Sequence, residues 1–339
     1  MKSEAKIAVI TGAAQGLGEA LGFKLLSQGY NLAICDVDYP KLLRTQAEMS
    51  SSYPELRIVA IQCDVSNRSE VRNFRTKVVE EYQTDSIDVL VNNAGIAGGS
   101  SFFTSTEEHW QKTFDVCWNG VCNCTREFLP QLLAAEHSYI VNISSANGYW
   151  ASSSQNTPLS AYSTAKFAVK GFTESLLVDS KINARNVRPI LVMLGQLATK
   201  LSGNTASYLG TRQPRDMNEE ELRAAQSAAN GPMSVMPLAE FKDALQEKYY
   251  GKNNSAPTTP SQAAKEIWEA IERGEWRIVV GPGARLLDEA VRANPRGAYD
   301  DGLVERLTRE RDAGAKTEIL SNQFSSQAGV RNWPIAGEA

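Results

Sequence analysis

Short apolar runs alternate with longer amphipathic stretches along the chain from residue 6 to residue 195. The runs are rich in β-branched residues and almost fully apolar, which is typical of strands buried on both faces. The stretches between them repeat their apolar positions with a helical period. This alternation predicts an α/β fold with a doubly wound parallel sheet of about seven strands and helices on both faces. The predicted strands are Ile7–Thr11, Asn31–Cys35, Ile58–Cys63, Ile87–Asn92, Tyr139–Ser144, Val187–Leu194 and Trp276–Gly281, and the clearest helices are Glu19–Gln28, Ser69–Tyr82, Glu107–Leu133, Ala161–Ser180 and Ser261–Arg273.

The alternation stops at residues 196–260. This region has an acidic helix start at Asn218–Glu221, a stretch rich in Met and Pro at Gly231–Pro237, and a polar linker at 251–260. A compact domain rarely contains a plain loop of this length. We expect a helical cap over a substrate site, and an insertion that only packs on the sheet is the alternative. The predicted units are a core at 1–195, the cap at 196–260, the last helix and strand of the core at 261–285, and a C-terminal extension at 286–339 that is an oligomer arm or partly disordered.

Composition and charge exclude several classes of function. With 339 residues and a net charge of −4, the chain has ample material for one core and no basic field for nucleic acid or anionic lipid. No apolar run approaches the roughly 18 residues of a membrane span. The strand pattern begins by about residue 6, which leaves no room for a signal peptide and makes the cytoplasm the expected location.

The five cysteines do not have the spacing of a disulfide framework. Cys122 and Cys124 are two apart on a predicted helix and therefore point to different faces, which disfavours a metal half-site there. We expect buried, reduced thiols and no bound metal.

A glycine-rich segment, TGAAQGLG at residues 11–18, lies between the first strand and the first helix. Gly12 can take the tight turn, Gly16 lets the backbone approach a pyrophosphate, and Gly18 lets the helix pack closely on the sheet. The phosphates would then face the helix N-terminus, beside Gln15 and Leu17, where free N–H groups favour negative charge. Three glycines alone often mark only a turn, but the strand before and the helix after them favour a dinucleotide site.

An acidic residue, Asp36, ends the second strand. A carboxylate at this place can accept hydrogen bonds from the ribose hydroxyls of NAD and repels the 2′-phosphate of NADP. The nearest bases, Lys41 and Arg44, lie further along the chain, so we expect NAD. Asp64 and Val65, after the third strand, are expected beside the adenine; a turn or helix-cap role for Asp64 is compatible with this.

Tyr162 and Lys166 are four residues apart in a predicted helix and therefore project from one face. A phenol with a pKa of about 10 is a poor acid–base catalyst at neutral pH. A nearby ammonium, together with a positive nicotinamide ring, would favour the phenolate and lower this pKa. Tyr162 could then exchange a proton with an alcohol or ketone while a hydride moves to or from the cofactor.

Taken together, these motifs resemble the short-chain dehydrogenases/reductases, whose nicotinamide-binding core is a Rossmann fold. The resemblance covers residues 5–200 well and 261–285 loosely, and it implies an oxidoreductase that uses NAD(H) and a small-molecule alcohol or ketone. The matching motifs are TGAAQGLG at 11–18, Asp36, Cys63-Asp64-Val65, NNAG at 92–95, Ile143-Ser144-Ser145 and Tyr162-Ser163-Thr164-Ala165-Lys166.

The resemblance also implies roles for single residues. In the NNAG motif, Asn92, Ala94 and Gly95 are expected to form a wall beside the cofactor. Ser145 should bind the substrate oxygen and complete a catalytic set with Tyr162 and Lys166. It precedes Tyr162 by 17 residues, about four more than is usual in the family, so we expect an insertion within 147–158, and Ser144 is the fallback.

Two further positions depart from the family pattern. Cys117 stands where the family has an asparagine that helps hold a water in the proton relay, which predicts an altered or slower relay. Leu194-Gly195 replaces a Pro-Gly pair that shapes the nicotinamide pocket. Thr199 remains to contact the carboxamide or the phosphates.

The substrate is only weakly indicated. Leu194, Leu197 and several methionines near the cap suggest a roomy apolar pocket for a bulky secondary alcohol or ketone, although the same residues could simply pack the cap on the sheet. The family resemblance implies a homodimer or homotetramer through the helices at about 107–133 and 161–180. A cofactor-binding sensor or scaffold with little catalysis is the competing interpretation.

Overall fold

The computed structural model describes residues 6–99, 101–152, 158–210, 214–227, 229, 231–250, 256–300, 302, 303, 306, 307 and 309. Its strands are β1 (Ile7–Thr11), β2 (Asn31–Asp36), β3 (Ile58–Gln62), β4 (Val89–Asn92), β5 (Ser138–Ser145), β6 (Val187–Leu194) and β7 (Arg277–Val280). They form a seven-stranded parallel sheet in the order β3-β2-β1-β4-β5-β6-β7. The prediction of a doubly wound α/β sheet of about seven strands is confirmed.

The helices cover both faces of this sheet. The first of them starts three residues before the predicted Glu19, so that two of the motif glycines belong to its first turn. The helices are α1 (Gly16–Leu26), α2 (Tyr39–Ser52), α3 (Arg68–Tyr82), α4 (Glu107–Phe114), α5 (Gly120–Ala134), α6 (Ser160–Asn183), α7 (Leu201–Tyr208), α8 (Glu219–Ser227), α9 (Leu238–Tyr250), α10 (Pro260–Glu272) and α11 (Pro282–Ala293).

The single long helix predicted over 107–133 is interrupted in the structure. A π-helical stretch, Asp115–Asn119, joins α4 to α5. Such a single wider turn is rare and has helix on both sides, so the sequence pattern predicted one continuous helix. This stretch carries Cys117 and brings it towards the carboxyl end of the sheet.

All five residues of β1 are buried, because helices cover both faces of the sheet. Ala8 and Ile10 belong to one apolar cluster, which includes α1 and α10. Ile7 and Val9 belong to the other cluster, which includes α3 and α5. Side chains that alternate between two cores explain why the strands are apolar at every position.

The central strand β1 pairs with β2 on one side and with β4 on the other. The strand order reverses here, since β2 and β3 lie on one side while β4 to β7 follow on the other. In open α/β sheets a crevice forms at the carboxyl ends of the strands at this reversal. The glycine loop, the residues after β4 and the end of β5 all open into it.

Part of the C-terminal extension packs on the core. α11 is followed by a short 3₁₀ turn, Gly297–Tyr299, and both pack in an apolar cluster that includes Tyr149 and Trp150. Residues 286–300 therefore pack on the core, and the expectation that the extension is an oligomer arm or partly disordered stays a prediction. Residues from 310 onward lie outside the described part of the chain.

The buried carboxylate of Asp288 fixes α11 to the last strand of the sheet. The Arg277 guanidinium donates to it twice, over 2.6 and 2.9 Å, and Arg292 lies 3.1 Å away. Burial alone would raise the pKa of Asp288, but the two guanidinium groups outweigh burial and hold it below its ordinary value.

In the described part of the chain no helix is long and apolar enough to cross a membrane. Within the same residues, no group of three His, Cys, Asp or Glu side chains is arranged to hold a metal ion. All five thiols are free, and four of them are buried. Cys122 is only half-buried, which corrects the expectation that every thiol is buried, because its position on α5 faces partly away from the core.

Candidate active site

The glycine loop after β1 is built for a close backbone approach. Gly12 and Gly16 have φ angles of +64° and +65°, in the left-handed region that favours glycine. A Cβ on Gly12 would lie 2.8 Å from the Cα of Ala94, and one on Gly18 would collide with the carbonyl of Gly12. The N-cap residue of α1, Gln15, makes no side-chain cap. The first turn of α1 therefore presents N–H groups and a positive dipole to the crevice, as a phosphate site requires.

The NNAG segment locks this loop to the end of β4. The Asn93 amide nitrogen donates to the carbonyls of Thr11 and Gly12 over 2.9 and 3.0 Å. The backbone N–H groups of Asn93 and Ala94 both donate to the Thr11 hydroxyl over 3.0 Å. Gly95 borders the crevice beside the Lys166 ammonium, since a Cβ there would lie 3.7 Å from Nζ.

Asn92, in contrast, does not line the crevice. Its amide nitrogen donates to Thr125 and Asn142 inside the core, over 3.0 and 2.8 Å. The direct wall belongs to Asn93, which the sequence reasoning missed. Side-chain alternation at the end of β4 could have indicated this, because a buried Asn92 turns Asn93 towards the glycine loop.

Asp36 ends β2 and faces the same crevice. One carboxylate oxygen accepts from the Ala14 backbone N–H over 3.1 Å, and the other accepts from the Asp38 N–H over 3.0 Å. Burial raises the pKa of Asp36, and the two backbone hydrogen bonds oppose that rise. The Lys41 ammonium lies 2.8 Å from Asp38, so the nearest cation is already paired with another carboxylate.

Asp64 serves as a turn residue and as an anchor. One oxygen accepts from the Ser66 N–H and hydroxyl over 2.9 and 2.7 Å. The other oxygen accepts from the Tyr208 hydroxyl at the end of α7, over 2.8 Å. Asp64 and Val65 also line the crevice, at the end next to Asp36.

Three polar side chains meet where β5 ends and α6 begins. The Ser145 hydroxyl lies beside the Tyr162 phenol and interacts with it, and Ser145 is buried. The Lys166 ammonium lies over the Tyr162 ring, 5.6 Å from its centroid. It donates to the Ile143 carbonyl over 2.8 Å. Ser144 is turned away, since its hydroxyl donates to the Lys166 carbonyl over 2.9 Å. The geometry therefore favours Ser145 over the fallback.

In the structure burial raises the pKa of Tyr162. The neighbouring Cys117 adds to this rise, and the interaction with Ser145 opposes it. Burial also lowers the pKa of Lys166. The ammonium lies over the ring face and donates to the Ile143 carbonyl, so burial has the larger effect here. The lower pKa expected from the ammonium together with a positive nicotinamide ring stays a prediction.

One cavity of about 840 Å³ connects these groups. At one end it is lined by Asp36 and the glycine loop, and at the other by Ser145 and Tyr162. Leu194, Gly195, Leu197 and Thr199 close its side after β6. Thr199 faces the glycine loop, because a Cβ on Gly16 would lie 3.5 Å from its methyl group. An extended dinucleotide fits this shape, with a carboxylate at one end and phosphate-binding N–H groups in the middle.

Comparison with known proteins agrees with this arrangement. The family model described as short chain dehydrogenase matches residues 6–209, which hold both the glycine loop and the Tyr162 helix. The chain belongs to the short-chain dehydrogenase family.

Two relatives and two solved structures place it within that family. It is 32% identical to SadH, named as a presumptive oxidoreductase, of Mycobacterium tuberculosis, over 85% of this chain and 91% of the relative. It is 28% identical to human 15-hydroxyprostaglandin dehydrogenase [NAD(+)], over 74% of this chain and 82% of the relative. A short-chain dehydrogenase/reductase from Burkholderia phymatum in complex with NAD superposes with a TM-score of 0.66 at 25% identity, covering 86% and 96% of the two chains. One from Sphingobium yanoikuyae in complex with NADPH shares the fold, with a TM-score of 0.60 at 16% identity and coverage of 96% and 99%.

Within this short-chain dehydrogenase, Cys117 makes backbone contacts. Its thiol donates to the Ile96 carbonyl over 3.1 Å and accepts from the Ile96 N–H over 3.4 Å. Burial raises the pKa of this thiol, while the Lys166 charge and the Ile96 N–H oppose the rise. Cys117 is therefore a neutral anchor for the segment after β4, next to Lys166.

Proposed function

We propose that this short-chain dehydrogenase transfers a hydride between NAD(H) and a bulky, apolar secondary alcohol or ketone, with Tyr162 as the general acid–base. The observation that carries the proposal is the convergence of Ser145 and Lys166 on Tyr162, at one end of a cavity whose other end is a dinucleotide cradle. Ser145 and Lys166 are buried and Tyr162 is half-buried. A cluster of ionisable and polar groups held out of water in a cleft is typical of a functional site.

The proposed mechanism assigns a separate task to each side chain. A nicotinamide bound in the cavity supplies or accepts the hydride. Ser145 holds the substrate oxygen at hydrogen-bond distance, and Tyr162 takes its proton in oxidation or donates one in reduction. Lys166 places a positive charge beside Tyr162, which stabilises the phenolate in a water-poor site. The carbonyl of Ile143 holds the ammonium in this position.

The preference for NAD rests on the local charges around Asp36. Its carboxylate faces the crevice at the end of β2, and the nearest cation, Lys41, is paired with Asp38. A 2′-phosphate would meet an unneutralised negative charge there, whereas ribose hydroxyls would find two carboxylate oxygens. The name of the human relative, which specifies NAD(+), points the same way.

The proposal of a bulky substrate rests on the residues between β6 and α10. Leu194 and Leu197 border the cavity beside the reacting end, and α7, α8 and α9 form the proposed cap over it, within residues 196–260. The human relative is named as a 15-hydroxyprostaglandin dehydrogenase. An apolar wall with few polar groups suits a bulky, apolar substrate.

The experiment follows NADH absorbance across a panel of bulky secondary alcohols and ketones, with Tyr162→Phe beside the wild type. Turnover with NAD(H) that disappears in the variant supports the proposal. Tight NADH binding by the wild type with no turnover would favour the sensor or scaffold instead. Turnover that survives Tyr162→Phe would mean that another group carries the proton.

We also propose that the enzyme forms a homodimer or homotetramer. Phe167, Val178 and Ile182 lie on one face of α6 and are 40, 63 and 73% exposed. Leu133, at the end of α5, is exposed as well. An apolar stripe of this kind is typical of a helix that pairs with another copy. Light scattering of the wild type and of a Val178→Lys/Ile182→Lys variant tests this, with a smaller particle expected for the variant.

A further inference from the structure

The turn after the catalytic serine is tied to a distant part of the chain. We define the rim turn as residues 146–151 and the C-terminal segment as residues 282–300. The Tyr149 hydroxyl donates to the Ala284 carbonyl over 2.8 Å, and the Trp150 indole N–H donates to the Ala298 carbonyl over 2.7 Å. Both side chains are buried, 7% exposed each. Short, buried bonds of this kind fix the relative position of two segments.

The C-terminal segment also contacts the other strand end at the site. A Cβ on Gly195 would lie 3.0 Å from the Cβ of Ala284, and the Gly195 N–H donates to the Val280 carbonyl over 2.9 Å. Ala284 therefore sits between the rim turn, which follows β5, and Gly195, which follows β6. These two chain segments line the reacting end of the cavity.

The rim turn passes this constraint on to Ser145. The Asn147 N–H donates to the Ser145 hydroxyl over 3.2 Å, and the Asn147 amide donates to the Trp150 carbonyl over 3.4 Å. The backbone of Gly148 packs closely against Lys166, since a Cβ on Gly148 would lie 2.8 Å from the Lys166 carbonyl oxygen. The turn therefore has no room to shift inward at Gly148. A displacement of Tyr149 or Trp150 would then displace Asn147 and Ser145.

The C-terminal segment is itself held rigidly enough to act as a support. The two hydrogen bonds from Arg277 to Asp288 join α11 to β7, with the Asp288 side chain only 3% exposed. Bidentate guanidinium–carboxylate pairs restrain orientation as well as distance. The support therefore runs from the sheet through α11 to the rim turn.

We propose that Tyr149 and Trp150 are positioning residues for catalysis: they dock the rim turn on the C-terminal segment and so hold Ser145 in place for the substrate oxygen. This inference rests on the proposed function. It assigns to the C-terminal segment a role at the reacting end of the cavity and none at the dinucleotide cradle, which lies beyond β1.

The test compares two double variants. Tyr149→Phe/Trp150→Phe removes both side-chain hydrogen bonds and keeps an aromatic side chain at each position. The matched control, Tyr82→Phe/Trp268→Phe, removes a tyrosine hydrogen bond to the Leu32 carbonyl and an indole hydrogen bond to Glu272, both away from the rim turn.

We expect kcat to fall about tenfold in the Tyr149→Phe/Trp150→Phe variant, because displacements of a fraction of 1 Å at a reacting centre have effects of this size. NADH affinity, measured by fluorescence, should stay within about twofold because the cradle is distant.

Each outcome decides the inference. A fall in kcat that exceeds the control, with NADH affinity retained, supports it. A kcat equal to that of the control at equal melting temperature overturns it, and so does an equal loss of NADH affinity, which would indicate general loosening. If the wild type turns over substrate and both double variants have the same kcat as the wild type, this inference is wrong and the proposed function stands. Absence of turnover in the wild type removes both.

Discussion

The hydroxyl of Tyr208 donates a hydrogen bond to the carboxylate of Asp64 over 2.8 Å, although 144 residues separate them in sequence. Tyr208 ends α7, the first helix of the proposed cap, and Asp64 follows β3 at the end of the cavity proposed for adenine. Burial raises the pKa of Tyr208 to about 12, so the phenol remains a donor throughout the neutral range. The bond therefore joins α7 of the proposed cap to a residue that lines this end of the cavity.

Tyr208→Phe should loosen this closure. A hydrogen bond to a charged acceptor contributes about 1.5 kcal/mol or more, so we expect the dissociation rate of NADH to rise about tenfold. Stopped-flow fluorescence of NADH release measures it. Tyr82→Phe is the control, since it removes a phenol hydrogen bond to the Leu32 carbonyl at the C-terminal end of α3. An unchanged release rate in Tyr208→Phe would mean that the cap is held by other contacts.

The raised pKa of Tyr162 sets the pH dependence of the two reaction directions. Oxidation of an alcohol requires the deprotonated phenol, and reduction of a ketone requires the protonated one. Because burial raises this pKa, we expect kcat/KM for oxidation to increase with pH through the neutral and alkaline range. The same parameter for reduction should fall only at the alkaline end. Profiles in both directions check this, and an oxidation rate independent of pH would contradict it.

Asp36→Asn should shift the enzyme from NAD towards NADP. The substitution keeps the side-chain shape and removes the charge that would repel a 2′-phosphate, so we expect the ratio of NADH to NADPH affinities to fall about tenfold, or roughly 1.4 kcal/mol. Glu108→Gln, which neutralises an exposed carboxylate paired with Lys112 on α4, should leave the ratio nearly unchanged. Since burial raises the pKa of Asp36, the wild-type ratio should also decline as the pH falls towards that pKa. Fluorescence titration gives both constants.

The cysteines should differ sharply in reactivity. Only the thiolate attacks an alkylating reagent, and burial raises the pKa of Cys35, Cys117 and Cys124. Cys122 is half-buried, so brief treatment of the native protein with a maleimide at neutral pH should label that residue first. Peptide mass spectrometry identifies the labelled residue, and the Cys122→Ser variant should incorporate almost no maleimide under the same conditions. Labelling of Cys117 before unfolding would contradict its role as a buried anchor.

Asp288→Asn should destabilise the fold in a pH-dependent way. Breaking a fully buried pair costs about 3–5 kcal/mol, and we expect less here, about 2–3 kcal/mol, because Arg292 is 61% exposed. In the folded protein the pKa of Asp288 lies below its ordinary value. The stabilisation that the Asp288 carboxylate gives to the fold is therefore fully present above the pKa of the unfolded chain, about 3.9. It is lost as the pH falls through the pKa of the folded protein. Urea unfolding should show the largest difference from wild type near neutral pH and little difference in acid. Glu219→Gln, in an exposed pair with Arg223, should cost no more than about 0.5 kcal/mol at any pH.

The sheet could be predicted almost completely from local pattern. Ile7–Thr11 and Val187–Leu194 were predicted with their observed bounds, and the other strands differ by one or two residues at their ends. Strands buried on both faces must be apolar throughout, and crossover helices must separate parallel strands, so composition and order alone determine them. The π-helical stretch at Asp115–Asn119 escaped prediction because it is a single wider turn between two α-helices, and a helical pattern predicts one continuous helix there.

The site was predictable where chemistry depends on residues close in sequence. The glycine loop and the Tyr162–Lys166 spacing follow from the geometry of a single turn or helix. Asn93 was missed because the alternation that turns it towards the glycine loop follows only once Asn92 is known to be buried, and the contact of Asn92 with Thr125 of α5 decides that. The effect of burial on the pKa of Tyr162 is a property of the whole fold, and the spacing of Tyr162 and Lys166 does not contain it.

The sequence by itself therefore determined the alternation of strands and helices, the glycine loop and the Tyr162–Lys166 pair, since each rests on residues within a few positions of one another. Only the tertiary structure decided that Tyr149 meets Ala284, that Tyr208 meets Asp64, and that the segment after β7 packs against the turn that follows Ser145. These contacts join residues more than 130 positions apart. They depend on which surfaces remain to be buried once the sheet has formed, and no local period or spacing contains that information.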